Sequence, residues 1–183
     1  MTREEQDKVY TRWSDAFPPA HELALKLKEL KFDTTYKTSY SIESPKKTNS
    51  LFYSICEIGG REGWFESSWM WSLRGKIDRF LTGVGSQRGR KHFFPLKVND
   101  VIDFWRVEAI ESNKRLLLRA EMLVPGKAWL EFKLTSEDKN QKLTVTAFYD
   151  THTFFGHIYW YIFLPFHHFI FQDLINGIEE KSY

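Results

Sequence analysis

The chain has 183 residues, 26 basic and 24 acidic side chains for a net charge of +2, one cysteine and 17% aromatic residues. That length suits one domain with a sizeable core. The near-neutral charge excludes a dedicated nucleic-acid binder, and 42% hydrophobic residues exclude a disordered chain. The lone Cys56 excludes an internal disulfide and a thiolate zinc site. With the polar start Met1-Thr2-Arg3-Glu4-Glu5, it points to the reducing cytoplasm.

Residues 1–31 read as a peripheral helical segment. Glu4, Glu5, Asp7 and Lys8 are charged, Pro18-Pro19 breaks any helix, and Leu23, Leu27 and Leu30 then recur at helical spacing. The main domain is expected over 32–183. It opens on a strand, with Tyr36, Thr38, Tyr40 and Ile42 alternating against Lys37, Ser39, Ser41 and Glu43. Ser44-Pro45 reads as a helix start, Leu51, Phe52 and Ile55 as its apolar stripe, and Gly59-Gly60 as its end. A second helical pattern follows at Trp69, Leu73, Ile77 and Phe80 or Leu81, with Gly75 inside it. Gly83, Gly85 and Gly89 mark a loop.

After Pro95 four strands are expected. The first sets Trp105, Val107 and Ala109 against Phe104, Arg106 and Glu108. The second sets Leu116, Leu118, Ala120 and Met122 against Leu117, Arg119 and Glu121. Beyond the Pro125-Gly126 turn, Ala128, Leu130, Phe132 and Leu134 alternate with Trp129, Glu131 and Lys133. Beyond residues 137–140, Leu143, Val145, Ala147 and Tyr149 alternate with Thr144, Thr146 and Phe148. Each strand has one apolar face and one bearing charges or hydroxyls. The reading is an antiparallel meander with a dry concave face and a wet face on which charges form cross-strand ladders.

A dry face needs a cover, and the chain turns helical after Asp150. Phe163, Phe166, Ile170, Leu174 and Ile178 form one stripe, with His168, Gln172, Asn176 and Glu179 opposite. Pro165 is expected to start or kink the main segment. From Phe154 to Phe171 there is no Asp, Glu, Lys or Arg, but Gly156, Pro165 and three histidines interrupt the run, so a buried or lid-like helix ranks ahead of a membrane span. The order of strand, two helices, meander and long terminal helix describes an α+β helix-grip fold: a curved antiparallel sheet covered by the C-terminal helix, with room for a ligand between them.

Several constellations invite chemistry. The glycine loop Gly83-Val84-Gly85-Ser86-Gln87-Arg88-Gly89 follows a helical pattern instead of a strand, so it is not a dinucleotide fingerprint, and no cofactor is expected. Arg74, Lys76, Arg79, Arg88, Arg90 and Lys91 make a local basic excess. It reads either as an anion site for a mostly apolar ligand or, ranked ahead, as loop-bracing pairs with Asp78, Asp100, Asp103 or Glu62. Glu121 belongs to the wet ladder by alternation, whereas Asp103 shares a face with Trp105 and Val107 and is the better candidate for a buried carboxylate. His152, His157, His167 and His168 lack acidic partners at ligand spacing, so no metal is expected. Cys56 on an apolar helix reads as a small core residue.

The segments Ile58-Gly59-Gly60-Arg61-Glu62-Gly63-Trp64, Leu73-Arg74-Gly75, Arg88-Gly89-Arg90, Asp103-Phe104-Trp105-Arg106-Val107, Leu118-Arg119-Ala120-Glu121-Met122, Pro125-Gly126-Lys127-Ala128-Trp129-Leu130 and Tyr159-Trp160-Tyr161, followed by Pro165 and His168, carry a resemblance. From about Tyr40 to Ile178 the chain resembles an uncharacterised bacterial family catalogued as a domain of unknown function. That family often occurs C-terminal to NAD(P)-binding epimerase-like or reductase-like domains, and it is similar to the START-like helix-grip superfamily, whose members bind lipids, sterols, polyketides and other apolar ligands. The resemblance implies a fold and a ligand class but brings no catalytic assignment.

Three functional readings follow. The first is a binder of a small apolar or amphipathic molecule, held by Trp71, Arg74, Arg90, Asp103, Trp105, Tyr149, Tyr159 and Phe166 between sheet and terminal helix. The second is a cyclase- or dehydratase-like enzyme using Asp103 or a nearby histidine as acid or base. The third is an interaction or regulatory domain for a separately encoded NAD(P)-dependent reductase. A homodimer or a reductase partner fits these readings; nucleic acid and a membrane span do not.

Overall fold

The computed structural model describes residues 35–59, 95–121, 124–137 and 140–183. The expected N-terminal segment, the second helix and the glycine loop lie outside them. The period-two stretch after Asp33 forms β1 (Tyr36–Ser44), with every second residue turned inward. It is followed by α1 (Thr48–Glu57), β2 (Val101–Ile102), β3 (Trp105–Glu111), β4 (Arg115–Ala120), β5 (Lys127–Glu137), β6 (Asn140–Asp150) and α2 (Phe154–Lys181). The six strands form one sheet in the order β1-β6-β5-β4-β3-β2, antiparallel throughout. The two-residue β2 adds one strand to the four expected after Pro95.

The inner face of the sheet carries Val107, Leu118, Leu130, Phe132, Leu143 and Val145, each fully buried. Against it pack Leu51 and Ile55 of α1 and Phe171, Leu174, Ile175 and Ile178 of α2, in one continuous core. Burying a side chain of this size stabilises the fold by about 1.5–3 kcal/mol, so these elements hold one another. The result is the expected helix-grip fold, a curved antiparallel sheet with its long C-terminal helix across the inner face.

Hydroxyls pin the helix at both ends. At its start the Pro125 carbonyl accepts hydrogen bonds from Thr151 Oγ1 at 2.6 Å and Tyr149 Oη at 3.0 Å, while Thr153 caps α2 by accepting from the Gly156 amide at 3.1 Å. Gly156 lies so close to Thr151 and the Pro125 carbonyl that a Cβ would overlap both. At the other end Ser182 Oγ donates to Ser54 Oγ of α1 at 3.0 Å, and Ser44 Oγ donates to Glu179 at 2.9 Å.

Several local expectations need correcting. Ser44 does not cap α1, which starts four residues later at Thr48 after Lys47. Ser44 instead ends β1 and accepts from the Lys46 amide at 3.2 Å, because the residue before a proline is driven to extended backbone. Pro165 does not start α2 but lies inside it, on the exposed side of one 28-residue helix. A bulge between Val107 and Ala109 shifts the register of β3, pairing Ala109 with Leu117 and Ile110 with Leu116. Ile110, not Ala109, therefore packs against the core beyond that point.

The largest correction concerns the outer face, expected to be wet. Arg115 and Arg119 are only 8% and 6% exposed, and Trp129 is 1% exposed. Their charges are paired: Arg119 lies 3.8 Å from Glu108 and 3.6 Å from Glu121, Arg115 lies 2.6 Å from Glu131, and Arg106 forks onto Glu121. The ladder exists, but it is buried. Among the described residues no helix is long and apolar enough to cross a membrane.

Candidate functional site

The two halves of α2 behave differently. From Ile170 onward it turns a steady apolar seam into the core, whereas from Phe154 to Phe169 only Gly156 and Trp160 are buried. Trp160 meets the inward residues at one corner of the sheet, where Tyr36 of β1 pairs with Tyr149 of β6. The three rings lie nearly parallel. Trp160 is 5.1 Å from Tyr36 at 14° and 5.8 Å from Tyr149 at 6°, and the two tyrosines are 6.4 Å apart at 20°. Such spacings match offset aromatic packing, worth about 0.5–1.5 kcal/mol per pair beyond area burial.

Polar groups fringe this stack. Tyr36 Oη and His157 Nδ1 share a 2.6 Å hydrogen bond. Tyr161 sets its ring edge-on to Tyr36 at 5.8 Å. Partial burial raises the Tyr36 phenol above its ordinary value, and the Tyr161 hydroxyl reinforces the shift, so Tyr36 keeps its proton at neutral pH. Two turns further along α2, His167 lies between Trp160 at 5.1 Å and Phe171 at 5.2 Å. Tyr40, two residues beyond Thr38 on the same face of β1, meets His168 at 5.5 Å, and burial raises its phenol too. Between β1 and α2 the chain thus builds a strip of aromatic faces edged by imidazoles and phenols.

Of the residues singled out from sequence, Tyr149 and Tyr159 come together here, with ring centroids 5.7 Å apart. Trp71, Arg74 and Arg90 lie outside the described residues. Trp105 is buried in the core on β3, four strands away from β1 in the sheet order, with its ring 5.3 Å from Phe104. Asp103 does not share a strand face with Trp105. It occupies the β2–β3 turn with φ of 54°, a left-handed conformation that aspartate tolerates, and strand alternation does not apply there. Phe166, expected on the buried stripe, is 47% exposed. The seam instead runs through Trp160, His167, Phe171, Leu174 and Ile178.

Sequence reading missed Tyr36, His157, Trp160 and His167 as members of one cluster. Tyr36 and His157 are 121 residues apart. The available signal was the helical spacing of Trp160, His167, Phe171 and Leu174, which places an imidazole inside an apolar seam. Among the described residues no group of three or more His, Cys, Asp or Glu side chains could hold a metal ion.

Residues 32–174 match the model of the DUF2867 family, described as proteins of unknown function, and the chain belongs to that family. No curated protein matches the sequence. Among solved structures, the Aha1 dimer from Colwellia psychrerythraea is 9% identical with a TM-score of 0.47, over 81% of this chain and 100% of that one. Protein MLL2253 from Mesorhizobium loti is 10% identical with a TM-score of 0.44, over 81% and 100% of the two chains. Ara h 8.0201 is 12% identical with a TM-score of 0.41, over 78% and 97%.

Proposed function

We propose that this DUF2867-family protein binds a small apolar or amphipathic molecule between the inner face of its sheet and the first half of α2. The supporting observation is the Tyr36, Tyr149 and Trp160 stack with the Tyr36–His157 hydrogen bond at its edge. Rigid aromatic faces supply contact area at low conformational cost, and a few fixed polar groups orient the ligand. Deeper along α2 the interior is filled by packed aliphatic and phenylalanine side chains, so the aromatic corner is where a ligand has both stacking partners and a hydrogen bond.

Native mass spectrometry of the purified chain tests the reading, together with titration by the apolar reporter 1-anilinonaphthalene-8-sulfonate. The expected result is a retained or added mass of small-molecule size and saturable reporter fluorescence, both lost in Trp160→Ala while the fold persists by circular dichroism. A chain that carries no small molecule and does not bind the reporter refutes it.

A second reading, a cyclase- or dehydratase-like enzyme, is favoured by the same pair. A phenol that keeps its proton can donate to a substrate oxygen while the adjacent imidazole accepts a proton. It requires that His157→Gln abolish turnover of a bound molecule while leaving its affinity within a few fold.

A further inference from the structure

The first half of α2 has a second face, turned away from the sheet. Phe154 and Phe155 are each 74% exposed, Phe169 is 64% exposed, and Ile158, Ile162 and Phe166 between them are exposed as well. At about 200 Å² for each fully exposed side chain, this face presents roughly 700 Å² of apolar surface. The largest such patch on an ordinary monomer is about 300–600 Å², and a standard protein interface covers about 800 Å² per partner. The patch has the size of an interface.

We propose that this face joins two copies of the chain in an isologous dimer, with the two α2 helices antiparallel and crossing near Ile162. Three features favour a second copy. Phe155, Ile158, Ile162 and Phe169 recur at steps of three, four and seven residues, the seam on which helices pair with one another. The stretch from Phe154 to Phe171 has no Asp, Glu, Lys or Arg, so the surface meets its own image without repulsion, as a two-fold axis requires. The same lack of cations disfavours a lipid surface, because helices that lie on bilayers flank their apolar face with Lys and Arg. Antiparallel pairing also opposes the helix dipoles and keeps the charged ends of the helices, with Glu179 and Glu180, away from their copies. Crossing at Ile162 places Phe155 of one copy opposite Phe169 of the second.

Sedimentation equilibrium of the full chain tests the proposal, with Ile162→Glu as the variant. Ile162 is 57% exposed, so the monomer fold tolerates the change, as an unaltered circular dichroism spectrum will verify. The wild type should dimerise at micromolar concentration. Ile162→Glu, which sets two carboxylates facing across the axis, should weaken association by about 100-fold or more. Mixing it with Ile162→Lys should restore a heterodimer. The proposal is overturned by a wild type that stays monomeric up to about 100 µM, well above the dissociation constants of stable interfaces, by an Ile162→Glu chain that still dimerises as tightly, or by a monomer that floats with phosphatidylcholine vesicles.

Discussion

Replacing Arg119 by methionine removes the cation at the centre of the buried outer-face network while keeping most of the side-chain volume. Arg119 stands 3.8 Å from Glu108 and 3.6 Å from Glu121. Deleting one partner of a buried ion pair costs about 3–5 kcal/mol, because a desolvated charge is left behind. Here the loss is cushioned: Trp129 Nε1 still donates to Glu108 at 3.1 Å, and Arg106 still forks onto Glu121. With these charge-assisted bonds intact, the expected loss at pH 7 is about 2–3 kcal/mol, which for a domain of this size lowers Tm by roughly 5–10 °C. The loss also depends on pH. Burial raises the Glu108 carboxyl above its ordinary value, opposed by the Trp129 hydrogen bond and by Arg119 and Arg115. The folded state therefore binds this proton more tightly than the unfolded chain does. Its contribution to stability is fully present below the ordinary carboxylate range and is lost as pH rises through the raised folded value. Without Arg119 the carboxyl shifts further up, so the deficit should shrink from pH 8 to pH 5, and Glu108→Gln in the same background should recover part of it. Urea unfolding of the single and double variants across that range measures each quantity. A deficit below about 0.5 kcal/mol, or one that does not change with pH, refutes the reasoning and places the network among solvated surface pairs.

Two further outcomes follow from the clamps on α2. Gly156→Ala forces a methyl group into Thr151 and the Pro125 carbonyl, and should cost about 2 kcal/mol or more, with faster amide exchange over the first two turns of α2 and little change near Ile178. Tyr36→Phe keeps the ring stack but removes the 2.6 Å hydrogen bond to His157. It should cost about 1 kcal/mol by urea unfolding, and a loss below about 0.2 kcal/mol would show that the bond contributes nothing.

Much of this fold is legible locally. The alternation in β1, β4, β5 and β6 requires no partner to be known, because a sheet with one buried face imposes a two-residue period on any sequence that can form it. The long uncharged run likewise announces a helix that needs a cover. Legibility fails where a residue's role depends on something distant in sequence. The bulge at Glu108 inverts the end of β3 without a glycine or proline to mark it. Ser44, a good helix cap by composition, is claimed by Glu179 135 residues away.

An antiparallel meander with one apolar face, closed by a terminal helix, is readable from this chain residue by residue, because side-chain period and turn chemistry are local properties. Which side of each element is dry depends instead on long-range packing. Arg119 and Glu108 carry charge and read as solvated, yet they are buried, because opposite charges 3.8 Å apart can share a desolvated face when each holds the other. Phe166 is apolar and reads as buried, yet it is exposed, because one helix cannot turn all its sides to a single sheet. The candidate site belongs to that second category. Tyr36, Tyr149 and Trp160 meet because β1 closes the meander beside β6 and Gly156 lets α2 approach the Pro125 turn, and neither event is written in the neighbourhood of the rings themselves.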